Sequence, residues 1–396
     1  MPGNFGQKIM KTFGLDEGQG QGQGHGHGQG QGERQGPRPG QPPQYESYPP
    51  PQYPQQQPFQ GHPQRCPRVH EEDRYLSQNR RGTYPRIARL GDGSVLASFT
   101  HFQGDTRILT VTRSTDGGWT FEDWGEISRG EGDVDNVFLL EIAAGTVLAA
   151  FRNHDLGPNG PTHFRITVCR STDGGRTWQF LSQAAEKDGP HGIWEPFMRL
   201  GRQGEVQLTY SLEFAQDNQC TMMVRSLDGG ATWSPPQCLH GECDALRDGM
   251  NGIAPTWDHG RAALVMIFET TSFGTFNLEA LISYDDGQTW GYRHRVYVPP
   301  QRHNAGAPQI ASFADGSLAV IFMTDEDHPE VSWTKNASIK AIFAPPPQNG
   351  QIFWSHPQVI CPHSSHWPGI APVDGHTLLA TFECDGQPRA KAITLQ

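Results

Sequence analysis

Two glutamates occupy positions out of keeping with their neighbours. Glu195 stands in Gly192-Ile193-Trp194-Glu195-Pro196-Phe197, between bulky apolar residues. Such surroundings favour the neutral acid, because burial penalises the charged form. Glu269 closes the run Ala263-Leu264-Val265-Met266-Ile267-Phe268, so a strongly apolar segment delivers a charge at its end. Paired carboxylates in different surroundings are what hydrolysis of a glycosidic bond uses: one protonates the leaving oxygen, the other acts as nucleophile or base. The alternative is that each accepts hydrogen bonds from strand-end amides and does no chemistry.

The elements that must bring these residues together are marked by four octets of pattern S-x-D-x-G-x-T-[W/F]. They run Ser114 to Phe121, Ser171 to Trp178, Ser226 to Trp233 and Ser283 to Trp290, starting 57, 55 and 57 residues apart. A fixed period of this size means repeated supersecondary units. Glycine supplies positive φ and the Ser and Asp side chains can bond nearby amides, so each octet reads as a hairpin turn pinned by its own side chains. The terminal Trp or Phe is expected to pack back on its repeat. Around the octets lie apolar runs of 4–7 residues bounded by Gly and Asp, with no sustained helical period, which predicts an all-β fold. The octet resembles the Asp-box, or BNR repeat, of sialidase-like β-propellers, and the resemblance covers most of residues 84–396.

Units begin near Tyr84, Asn136, Trp194, Asn251 and Ala305; the fifth replaces its octet by Pro345 to Gly350. A sixth begins at Pro368 and ends after Ala390 to Leu395, one strand short. The residues around Arg68 to Leu76 are expected to supply that strand, closing a six-bladed β-propeller over residues 66–396 and removing its open edges. In a propeller, residues before each first strand and after each second strand share one funnel. Aligning the second strands on Phe99, Phe151, Tyr210, Phe268, Phe322 and Phe382 places Thr100, Arg152, Ser211, Glu269, Met323 and Glu383 at equivalent positions. Aligning the first strands brings Tyr84 and Arg86, Asp133 to Asn136, Trp194-Glu195, Asp248 to Asn251, His303-Asn304 and His366-Trp367 to the same mouth. Carboxylates, arginine, histidine and tryptophan suit a carbohydrate substrate, with Trp stacking on a ring and charged groups bonding hydroxyls. Glu195 and Glu269 are the candidate catalytic residues; Arg86, Arg152, Trp194 and Asn251, with His303, Trp367 and Glu383, are the candidate substrate-binding residues.

The chain carries 31 basic and 42 acidic side chains, a formal charge of −11, which gives nucleic-acid binding no support. Residues 1–65 are a different material, mostly Gly, Gln, Pro, His and Tyr from Gly18 onward, and are expected to be a disordered tail. No signal-peptide core and no membrane-spanning stretch is visible, so a cytoplasmic monomer is expected, with export the alternative. The seven cysteines show no metal-ligand spacing and read as scattered thiols; no metal or cofactor is expected.

Trp194-Glu195-Pro196-Phe197, Asp248-Gly249-Met250, the strand ending in Phe268-Glu269, and Tyr84-Pro85-Arg86 followed by Leu90-Gly91-Asp92-Gly93 together resemble glycoside hydrolase family 93. The resemblance implies a retaining, exo-acting α-L-arabinofuranosidase or exo-1,5-α-L-arabinanase, and carries the two catalytic roles onto Glu195, as acid/base, and Glu269, as nucleophile. A sialidase is the nearest rival. It needs three arginines and a tyrosine nucleophile, of which Arg86 and Arg152 supply two arginines and no Tyr opens the sixth unit. A non-catalytic propeller binding a glycan or a protein is the rival of another class.

Overall fold

A computed structural model describes residues 66–396 apart from 301, 334 and 363; the tail expected at 1–65 lies outside the described residues. Two short strands come first, β1 (Pro67–Val69) and β2 (Arg74–Tyr75). Blade 1 holds β3 (Thr83–Arg89), β4 (Val95–Gln103), β5 (Thr106–Ser114) and β6 (Glu122–Gly130). Blade 2 holds β7 (Asp133–Ala143), β8 (Thr146–Gly157), β9 (Gly160–Ser171) and β10 (Gln179–Asp188). In blade 3 are β11 (Ile193–Leu200), β12 (Val206–Ala215), β13 (Asn218–Ser226) and β14 (Gln237–His240). Blade 4 follows with β15 (Gly249–Asp258), β16 (Arg261–Thr270), β17 (Asn277–Ser283) and β18 (Gly291–Tyr297). Blade 5 has β19 (Ala305–Ser312), β20 (Leu318–Thr324), β21 (Ser338–Ala344) and β22 (Gln358–Cys361). Blade 6 has β23 (Ser365–Pro372), β24 (Thr377–Cys384) and β25 (Gln387–Leu395), completed by β1 and β2 pairing antiparallel to β25. The fold is the expected all-β, six-bladed propeller, its last blade spliced from both ends of the described chain.

Each blade is apolar on both faces because both are covered by neighbours. Six buried clusters result, one in each seam between adjacent blades. Double coverage is why β17 and β20 are buried along their whole length rather than alternating. The aromatics that end the second strands, Phe99, Phe151, Phe268, Phe322 and Phe382, are among the largest fully buried side chains.

The octets fold as their composition requires. In all four, the Asp carboxylate accepts the hydroxyls of Ser and Thr, and the second Gly or its counterpart donates its amide to the Ser Oγ at 2.7–2.9 Å. Of the terminal aromatics Phe121 is buried, while Trp178, Trp233 and Trp290 are only half-buried against their seams. Blade 5, which lacks an octet, borrows a carboxylate instead. The amides of Asn349 and Gly350 both donate to Asp258 of blade 4 at 2.8 Å.

Candidate active site

The innermost strands share one irregularity. Each carries a β-bulge near its start, between Thr83 and Arg86, Asp135 and Phe138, Trp194 and Phe197, Gly249 and Gly252, Gly306 and Gln309, and His366 and Gly369. Two residues fall out of register at each bulge, and the first of them is left-handed every time: Tyr84 (φ 51°), Asn136 (53°), Glu195 (45°), Met250 (47°), Ala307 (48°) and Trp367 (53°). A non-glycine residue in this region costs roughly 1–3 kcal/mol, so it persists only where the surroundings over-determine it. The bulges aim one residue per blade toward the axis: Tyr84, Met250, Ala307 and Trp367, from four blades, meet in a single packed cluster.

Opposite the residue preceding each bulge lies one second-strand residue. The pairs are Thr83 with Thr100, Asp135 with Arg152, Trp194 with Ser211, Gly249 with Glu269, Gly306 with Met323, and His366 with Glu383. These six second-strand residues are the ones aligned from the sequence. The first-strand alignment slips in blade 5, where Gly306-Ala307, not His303-Asn304, stands level with Trp194-Glu195.

Glu195 and Glu269 both lie in this ring, on adjacent blades, and both are buried. Ser211 links Glu195 to the next blade, its hydroxyl bonded to the Glu195 carboxyl and accepting the Met250 amide at 3.1 Å. Glu269 reaches onward in the same sense: its Oε2 accepts the amide of Ala307 at 2.7 Å. Burial pushes the Glu195 carboxyl up to about 8; the Arg152 charge opposes this, and the carboxylates of Glu269 and Glu213 add to it. Burial likewise raises Glu269, to about 7, against the pull of the Ala307 amide and the Arg247 charge. Two buried acids, both held above the ordinary carboxylate range, therefore share one floor.

The other expected residues divide into those at the funnel and those that support it. Trp367 is half-buried and stacks on Tyr84 with ring centres 4.4 Å apart. Glu383 accepts the Thr83 hydroxyl at 2.9 Å across the blade 6–blade 1 seam, and burial raises its pKa. Arg152 is held by Asp133 (3.1 Å) and Asp135 (3.2 Å), with Arg107 bonding both aspartates and the Tyr84 ring centre 5.1 Å away. Arg86 lies beyond Tyr84 along β3 and donates to the carbonyls of Pro85 and Trp367 at 2.9 and 3.2 Å. Trp194 is buried in the seam between blades 2 and 3, edge-on to His154 and Phe164, so it packs the core rather than presenting a face. Asn251 accepts the Thr209 hydroxyl at 2.7 Å in the seam of blades 3 and 4. His303 precedes β19, its Nδ1 3.4 Å from Asp325.

Sequence reasoning placed Tyr84 at the mouth but passed over Arg107 and Trp333. Trp333 closes over Gly306: a Cβ there would meet its ring at 2.5 Å and Glu269 Oε2 at 2.4 Å, so only glycine fits. A tryptophan following a second strand was the available signal, since that position opens on the funnel. For Arg107 there was none, because its aspartate partners come from another blade.

The Arg107–Asp133–Arg152–Asp135 network is buried, and removing one member uncompensates the rest. Arg152→Ala is expected to lower unfolding stability by about 3–5 kcal/mol, measured by urea denaturation; an unchanged midpoint would show that the network carries no weight.

Comparison with protein-family models finds no match, and comparison with curated proteins finds none either. Solved structures do match. A protein of unknown function from Dyadobacter fermentans aligns at TM-score 0.63 and 14% identity, over 83% of this chain and 99% of that one. The Penicillium chrysogenum α-L-arabinanase complexed with arabinobiose aligns at TM-score 0.58 and 18% identity, over 83% and 98%. The GH93 α-L-arabinofuranosidase of Fusarium graminearum with arabinobiose gives TM-score 0.59 and 16%, over 83% and 98%. NanB sialidase from Streptococcus pneumoniae gives 0.55 and 13%, over 81% and 70%. At these identities the likeness speaks for the fold, which glycoside hydrolases of two kinds share.

Proposed function

We propose that this propeller is a retaining glycoside hydrolase, an exo-acting α-L-arabinofuranosidase or exo-arabinanase, in which Glu195 is the acid/base and Glu269 the nucleophile. The observation that carries the reading is the pair itself: two buried carboxyls on adjacent blades, close enough for one to raise the other, with Glu195 holding its proton to higher pH. In the first step the Glu269 carboxylate attacks the anomeric carbon while Glu195 passes its proton to the departing oxygen. In the second, ionised Glu195 takes a proton from water, the hydroxyl bonds to the anomeric carbon, and Glu269 leaves as carboxylate. Two inversions restore the starting configuration.

Substrate binding follows from the same ring. Half-buried Trp367, backed by the buried Tyr84 ring, offers an apolar face to a sugar, and Glu383, with the buried Asn136 amide, supplies partners for hydroxyls. The arginines argue for a neutral sugar over a sialoside. Arg152 is neutralised by two aspartates and Arg86 is taken up by backbone carbonyls, leaving no cluster committed to a substrate carboxylate. Hydrolysis of linear arabinan, arabino-oligosaccharides and a sialoside, with NMR of the first-formed anomer, tests this. Release of arabinose with retained configuration is expected; release of sialic acid, or of an inverted anomer, would sink the proposal.

The pH profile follows from the two acids. Activity needs Glu269 ionised, so kcat/KM rises through about 7, and Glu195 protonated, so it falls through about 8. A narrow bell between these limbs is expected, and a flat profile from pH 5 to 9 would contradict the assignment.

Stability should move oppositely to what surface carboxylates do. Both folded-state values lie above the ordinary 4.5, so the folded protein holds more protons than the unfolded chain from there up to about 7–8. Stability is therefore full at low pH and is lost as pH rises across that window. The double variant Glu195→Gln, Glu269→Gln is expected to flatten the fall in thermal midpoint between pH 5 and 8; an identical slope would show that neither carboxyl is forced to ionise in a buried site.

A further inference from the structure

All seven cysteines are free thiols, and four of them lie in two close pairs. Cys220 of β13 and Cys238 of β14 bring their sulfurs to 3.2 Å, and Cys361 and Cys384, at the ends of β22 and β24, bring theirs to 3.5 Å. Both close pairs stand toward the ends of their blades that carry the ring of Glu195 and Glu269. The pairs differ in access. Cys361 and Cys384 are both buried, and the Cys384 thiol is pushed up to about 12, chiefly by burial. Cys220 is buried, but Cys238 is half-exposed.

We propose that Cys220 and Cys238 form a reversible disulfide that braces the site-side edge of blade 3. The sulfurs need to close from 3.2 Å to about 2.05 Å, a movement within reach of side-chain rotation on paired strands. Cys238 is the attacking group: it is the more accessible of the two, its contact with Cys220 holds its pKa below the ordinary thiol value, and that of Cys220 is raised in return. The oxidant is a low-molecular-weight disulfide such as oxidised glutathione. The Cys238 thiolate attacks one of its sulfurs and expels the other as thiolate, leaving a mixed disulfide. Cys220 then loses its proton to solvent and attacks the Cys238 sulfur, expelling the second glutathione. Two protein thiols are oxidised by two electrons, and one glutathione disulfide becomes two thiols.

The bond would tighten the route into the active floor. Two residues beyond Cys238, His240 contacts Asp248 at 3.1 Å, and Asp248 is gripped by Arg293 just before Gly249, the residue paired with Glu269. A Cβ at Gly241 would also lie against both Cys220 and Asp248, so sulfur pair and acid share one packed corner.

The test is peptide mapping of the full chain after incubation with oxidised glutathione, with titration of free thiols. The expected result is a peptide joined through Cys220 and Cys238, loss of two titratable thiols, and their return with dithiothreitol. Cys220→Ser should instead trap glutathione on Cys238, and Cys238→Ser should yield no joined peptide. Oxidation that leaves Cys220 and Cys238 unjoined, with adducts only on the exposed Cys66 and Cys243, would overturn the proposal.

Discussion

Glu195→Gln is expected to slow hydrolysis of arabino-oligosaccharides by about 10²–10⁴-fold, the range a general acid contributes. A nitrophenyl arabinofuranoside, whose leaving group departs without protonation, should lose far less in the glycosylation step. Azide should then restore turnover in this variant and give a glycosyl azide of retained configuration, because it attacks the covalent intermediate without needing a base. Glu269→Ala should abolish both substrate classes alike, and any azide product should have inverted configuration. The reverse pattern would exchange the two roles. Near-normal activity in either variant would remove the hydrolytic mechanism and leave a binding propeller as the better account of the ring.

The second large effect concerns closure. Removing residues 66–82 along with the tail is expected to abolish folding into a soluble monodisperse species, whereas removing residues 1–65 alone should leave the thermal transition where it was. The reason lies in what the short segment holds. Leu76 is fully buried in the seam between blades 6 and 1, and its carbonyl accepts the Thr112 hydroxyl at 2.7 Å. The amides of Cys66, His70 and Leu76 pair with carbonyls along β25 at 2.9–3.1 Å. Arg74 lies over the Trp119 ring at 3.8 Å and donates to the Gly118 carbonyl, tying this strand to the octet of blade 1. Burying one Leu is worth about 1.5–3 kcal/mol, and stripping the strand also exposes the edge of β25 for pairing with other chains. Size-exclusion chromatography with a thermal melt decides it: a monomer melting like the parent would show that blade 6 stands on three strands alone.

Much of the architecture was legible because its determinants are local. The Ser, Asp, Gly and Thr of each octet bond to one another within a few residues, so the turns and the period of the first four blades follow from the chain read in order, and the repeated apolar strands add the last two. The aromatic ending each second strand fills the same buried position in every blade, so aligning on it placed Arg152, Ser211, Glu269 and Glu383 at the level the register later shows. The apolar setting of Glu195 and Glu269 was visible for the same reason.

Other features depend on partners far away in the chain, and these only the tertiary structure decided. The left-handed bulge recurs at Tyr84, Asn136, Glu195, Met250, Ala307 and Trp367, side chains with nothing chemical in common, although four of them precede a proline. It is imposed by strand pairing, and it moved the blade 5 position from His303 to Ala307. The neutralisation of Arg152 needed Asp133 and Asp135 on the paired strand, which it shares with Arg107 from the preceding blade. The cysteine pairs are 18 and 23 residues apart and meet only because their strands pack together. A periodic sequence specifies the repeated unit, but the charge and contacts at the centre arise where six different units converge, and no single unit encodes what its neighbours bring there.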